Sequence, residues 1–71
     1  MPELEPNHAR LPHQRQRIIA ELLASNHWVT TQELVTLFKT SDATVRRDLT
    51  QLVRQGLAVR LHGGATLPGQ A

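Results

Sequence analysis

The chain contains no cysteine, so it holds neither a disulfide framework nor a thiolate metal site, which suits a reducing compartment. Aromatic residues are almost as scarce: Trp28 and Phe38 are the only two, and there is no tyrosine. No apolar run approaches the ~20 residues of a membrane-spanning helix, and no signal-peptide pattern opens the chain. His8, His13, His27 and His62 are scattered without metal-ligand spacing, which argues against a zinc site. No nucleophile–base pair, paired carboxylates or phosphate loop is present; Gly63-Gly64 is too short for such a loop and lacks a following Lys-Ser or Lys-Thr. An enzyme therefore has almost nothing behind it, and neither a cofactor nor a membrane partner is expected.

What remains is a chain of 71 residues, enough for one small domain whose apolar positions are needed for packing. Lysine and arginine total 8 against 6 acidic residues. Glu3 and Glu5 lie in the first few residues, so the excess is larger over the rest of the chain. A mildly basic module of this size fits an acidic polymer better than a small substrate.

The stretch from Ser41 to Leu49 organises the remainder. Ser41 is a good helix N-cap. Val45, Leu49, Leu52 and Val53 follow at the spacing of one helical stripe, and Gly56 supplies the left-handed residue that ends the helix. Arg47 and Arg54 fall opposite the stripe, with Ala43, Thr44, Thr50 and Gln51 to either side and Arg46 and Asp48 on the flanks. An outer face of this kind suits the major groove of DNA, where arginine pairs with guanine and threonine or glutamine meets other base edges. A solvated helix face, or one docking an acidic partner protein, shares the same pattern.

Along the chain, residues 1–11 contain Pro2 and Pro6 and no apolar period, and are expected to form a flexible arm. A first helix is predicted from about Pro12 to Ser25, with Ile18, Ile19, Leu22 and Leu23 buried, Leu11 extending the stripe, and Arg15 and Arg17 on the wet sides. Asn26 suits the left-handed position at its end. Trp28-Val29-Thr30 reads as a very short strand with Val29 inward and Trp28 partly buried over the sheet. Thr30 and Glu33 form a capping box for a second helix over about 31–39, with Leu34, Leu37 and Phe38 as its core face. The short gap to Ser41 makes the second and third helices cross steeply, as in helix-turn-helix units, although the turn lacks the glycine that many carry. After Gly56, Leu57, Val59 and Leu61 alternate with Ala58, Arg60 and His62, the mark of a half-buried strand. Gly63-Gly64 is read as a tight-turn pair, and residues 65–67 return as the partner strand. The fold class is mainly α with a small antiparallel sheet, a winged helix-turn-helix of three helices plus a β-hairpin wing, over residues 12–67.

These residues resemble a known family. Arg15, Ile19 and Leu23, the Ser41 and Thr44–Leu49 run, and Gly56, Arg60 and His62-Gly63-Gly64-Ala65 together resemble the N-terminal DNA-binding domain of the DeoR family of bacterial transcriptional regulators. The resemblance covers about residues 13–67. It implies a cytoplasmic repressor of sugar or polyol catabolism genes with a further C-terminal domain that senses a phosphorylated sugar or polyol and drives homo-oligomerisation. Residues 68–71 then read as the start of the linker to that domain, and the isolated reader module is expected to be a monomer.

The expected partner is double-stranded DNA, with the helix at about 42–55 in the major groove and the 57–67 hairpin as a wing. Arg47, Thr44, Ala43, Arg46 and Gln51 form the expected base-reading set, with Arg46 on the flank and better placed to clamp phosphate. Thr30, Thr31 and Ser41 lie at helix starts, where free amides bind phosphate; capping explains them equally well. Arg54 is a further phosphate contact, and Arg60, His62, Gly63 and Gly64 are the wing contacts. Asp48 would repel phosphate and is expected to pair with a basic neighbour such as Arg15, holding the helices in register.

Overall fold

A computed structural model describes residues 11–69 of the chain. The arm expected over 1–11 therefore lies outside the described residues except for Leu11, as do the last two residues of the expected linker. The element order is α1 (Pro12–Asn26), β1 (Trp28–Thr30), α2 (Thr31–Phe38), α3 (Asp42–Arg54), β2 (Val59–Leu61) and β3 (Gly64–Thr66). The strands form one antiparallel sheet in the order β1-β3-β2. This is a winged helix-turn-helix.

Local chemistry explains where each helix stops. α1 ends at His27, not Asn26, in the left-handed conformation (φ 74°); its N–H donates to the Leu23 carbonyl at 2.8 Å. α2 ends at left-handed Lys39 (φ 52°). There the N–H groups of Lys39 and Thr40 donate to the carbonyls of Thr36 and Val35, the paired bonds of a Schellman motif. The turn between α2 and α3 thus has the backbone shape that glycine would supply, held by a lysine. α3 ends at Gly56 (φ 78°) with the same pair of bonds, Gly56 to Val53 and Leu57 to Leu52. At its start α2 has the expected capping box: Thr30 Oγ1 accepts from the Glu33 N–H at 3.0 Å, and the Glu33 carboxylate accepts from the Thr30 N–H at 3.0 Å.

The core draws on every helix, with Ile19 and Leu23 from α1, Leu34 and Phe38 from α2, and Val45, Leu49 and Leu52 from α3, closed by Val29, Ala58 and Ala65 from the sheet side. Full burial of each large aliphatic side chain contributes about 1.5–3 kcal/mol. On α1 the buried stripe is Arg15, Ile19 and Leu23, while Ile18 and Leu22 are only partly buried. Arg15 therefore does not keep to the wet side. Leu11 is half exposed, because its backbone serves as the N-cap: its carbonyl accepts from Gln14 and Arg15.

The hairpin runs in the opposite phase to the one its apolar alternation suggests. Ala58 is buried while Leu57, Val59 and Leu61 are exposed. The register explains this: Val59 pairs with Thr66 and, across the sheet, with Trp28, whereas Arg60 pairs with Ala65 and Val29. Cross-strand partners share a face, and Val29 and Ala65 face the helices. Val59 and Trp28 consequently lie on the outer face, where Trp28 is 56% exposed and not partly buried as expected. The turn is His62-Gly63, with Gly63 left-handed (φ 78°), and Gly64 belongs to β3. Gly64 is glycine for a different reason: a Cβ there would lie 2.1 Å from the Val29 carbonyl oxygen.

Candidate nucleic-acid interface

The exposed face of α3 is built by its own period. With Val45, Leu49 and Leu52 buried, Ala43, Arg47, Thr50, Gln51 and Arg54 remain exposed and Thr44 is half-buried. Ser41 caps the helix, its hydroxyl accepting from the Thr44 N–H at 3.1 Å and donating to Thr44 Oγ1 at 2.9 Å.

The arginines around this helix divide by their partners. Arg15 of α1 is buried against Asp48, with Nε to Oδ2 at 2.5 Å and Nη2 to Oδ1 at 3.2 Å. This bidentate pair takes up both carboxylate oxygens and ties α1 to α3, as expected for Asp48. Arg46 pairs with Asp42 one turn earlier at 2.6 Å, both largely exposed. By the helical period Arg46 lies about 100° round the helix from Arg47, on the flank opposite Asp48. Arg47 and Arg54 have no salt-bridge partner among the described residues, so the outer face carries two uncompensated cations.

The start of α2 is arranged differently from expectation. Thr31 is buried, and its N–H donates to the Gly63 carbonyl at 2.9 Å, tying the tip of the hairpin to the helix start. The Thr30 N–H is held by Glu33. These two amides are spent inside the protein, and Thr31 is not a surface contact. Gly64 is likewise buried, in the central strand of the sheet, and is not a wing-tip residue. Arg60, His62 and Gly63 are exposed. Arg60 shares a face with Val29 and Ala65, the side of the sheet turned to the helices.

Two residues that sequence reasoning missed stand beside α3. His13 and Gln16 of α1 line a cleft with Thr44, Arg47 and Gln51, floored by Arg15 and Asp48. The signal was available, since an Arg15–Asp48 pair necessarily brings the first turns of α1 against α3. Among the described residues no group of three or more histidine, aspartate or glutamate side chains converges on a common point. No helix among them is long and apolar enough to cross a membrane.

A helix with a cationic outer face, braced from behind by two helices and flanked by a hairpin, defines a winged helix-turn-helix module. The model of the DeoR-like helix-turn-helix domain matches residues 15–71, and the chain belongs to that family. It is 47% identical over 58 residues to the glycerol-3-phosphate regulon repressor of Escherichia coli K12, a match covering 82% of this chain and 23% of the relative. It is 42% identical over 53 residues to the lactose phosphotransferase system repressor of Staphylococcus aureus NCTC 8325, covering 75% of this chain and 21% of the relative. The chain thus spans about a quarter of the length of these curated relatives. No solved structure matches it significantly.

Proposed function

We propose that this domain binds duplex DNA sequence-specifically, with α3 in the major groove, and that it is the reader module of a cytoplasmic bacterial repressor of sugar or polyol catabolism genes. The observation that carries the reading is the sorting of the arginines: Arg15 and Arg46 are neutralised by Asp48 and Asp42, while Arg47 and Arg54 project from α3 without a salt-bridge partner among the described residues. Arg47 is the principal base reader, because its planar fork matches guanine O6 and N7. Ala43, Thr44 and Gln51 complete the reading surface. Arg54, Arg60, His62 and Gly63 contact backbone or an adjacent groove, and Ser41 presents the start of α3.

The relatives named above are repressors by their names, and the matches cover 23% and 21% of their lengths. In the full protein, a further domain binds a phosphorylated sugar or polyol and assembles the readers into a homo-oligomer. The isolated domain is a monomer and binds weakly, since affinity in such repressors comes from two half-sites engaged together.

The test is selection of bound duplexes from a random pool, followed by titration of wild type and Arg47→Ala on the selected duplex and on random DNA. Arg47→Ala should reduce the ratio of the two affinities by about 10-fold or more, in line with 1–3 kcal/mol per bidentate base contact. Equal loss on both duplexes removes the base-reading role.

A further inference from the structure

The cleft between α1 and α3 has donors on both walls and no uncompensated acid within it. We propose that it is a binding site for one backbone phosphodiester of the bound duplex, with His13 and Gln16 as contacts. On the α3 side it is lined by Thr44, Arg47 and Gln51, and on the α1 side by His13 and Gln16. A carboxylate at its floor would ordinarily repel a phosphate. Here both oxygens of Asp48 are occupied by Arg15, so the floor is a closed ion pair and the uncompensated charge at the rim is that of Arg47. Thr44 Oγ1 accepts from the Ser41 hydroxyl, so its own hydroxyl remains available as a donor.

Position selects phosphate over a base. The outward direction of α3 is set by Arg47 and Arg54. Thr44 and Gln51 lie toward the edge facing α1, on the same side as Asp48. A helix filling the major groove has its flanks against the backbones that border the groove, and phosphate contacts fix its register there. α1, which precedes the helix-turn-helix pair, becomes a third element of the footprint. Thr44 and Gln51 then serve the backbone at least as much as the bases.

This inference rests on the DNA-binding reading, and its test separates the two. The 71-residue chain, His13→Ala, Gln16→Ala and the double variant are titrated on the selected duplex and on random duplex at one salt concentration. The same titrations are repeated with single methylphosphonate substitutions walked along each strand. His13 is exposed and Gln16 only partly buried, so the melting temperature should be retained. Each single variant should bind both duplexes about 3- to 10-fold more weakly, the range of one neutral hydrogen bond, with the affinity ratio unchanged. One methylphosphonate position should weaken wild type, and weaken the double variant by a clearly smaller factor, since Thr44, Arg47 and Gln51 still line the cleft. Undiminished affinity in the double variant, or a loss that adds fully to that of every methylphosphonate, overturns the site. Should wild type bind selected and random duplexes equally, base reading fails while the methylphosphonate arm still decides the cleft.

Discussion

Two adjacent glycines in the hairpin do opposite jobs. Gly63 is required by conformation: its φ of 78° is left-handed, and nothing lies within 4 Å of the position a Cβ would take. Gly64 is required by space, because a Cβ would meet the backbone of Val29 and Thr30, which cannot yield without opening the β1–β3 pairing. Gly63→Ala should therefore cost about 1–2 kcal/mol, the strain of one L residue in that region. Gly64→Ala should exceed it, at about 3 kcal/mol or more. A domain this small rarely has more than about 3–5 kcal/mol in total, so urea titration at 25 °C should show Gly63→Ala folded with a lower midpoint and Gly64→Ala largely unfolded. Similar midpoints for the two would contradict the steric account. Lys39 is the converse case: a residue with a side chain holds the left-handed end of α2. Lys39→Gly should stabilise the domain by up to about 1 kcal/mol, the residual strain less the added flexibility of the unfolded chain, read as a higher urea midpoint.

Among the elements, α1 and α3 are joined by a buried ion pair at the edge of their contact. Arg15 and Asp48 are 7% and 2% exposed, so neither charge has water in place of its partner. Removing one leaves the other buried and unpaired, at a cost of about 3–5 kcal/mol. Arg15→Ala and Asp48→Ala should each unfold most of the protein under conditions where wild type is folded. The double replacement Arg15→Met, Asp48→Leu removes both charges and should fold with a stability within about 1 kcal/mol of wild type or above it. Circular dichroism melting of the three variants distinguishes this from an ordinary surface pair; comparable stability for single and double variants would show that the charges are effectively solvated. Arg46–Asp42 is the contrasting exposed pair, and its loss should be nearly silent in the same measurement.

At the level of the whole molecule, the relevant property is how charge is distributed between internal pairs and the outer surface. Each phosphate contact made by a cation contributes about 0.9 to the slope of log affinity against log salt. Arg54→Ala and Arg60→Ala should each reduce that slope by about 0.9 on random DNA and leave the preference for the selected sequence nearly intact. Arg46→Ala should change it less, because its charge is already balanced by Asp42. Two domains joined by a flexible linker long enough to span half-sites one helical turn apart should bind a two-site duplex far more tightly than one domain does. Affinity equal to that of the single domain would place the reading surface elsewhere.

The sequence by itself determined what depends on neighbours a few positions away. The Thr30–Glu33 box, the Ser41 cap, the Gly56 stop, the Val45–Leu49–Leu52 stripe and the run of three helices and three strands follow from bonds and periods that close within a turn or two. Tertiary structure decided the matters settled by distant partners. Arg15 is buried because Asp48, 33 residues away, meets it across the helices, a pairing that residue chemistry suggested but whose burial the helical period alone misplaced. The strand phase followed from pairing with β3, and through it with Trp28 and Val29. Alternation shows that a strand has two faces but not which one meets the helices. Thr31 and Gly64 left the surface for the same reason: hairpin and α2 meet there, through a hydrogen bond in one case and a missing side chain in the other.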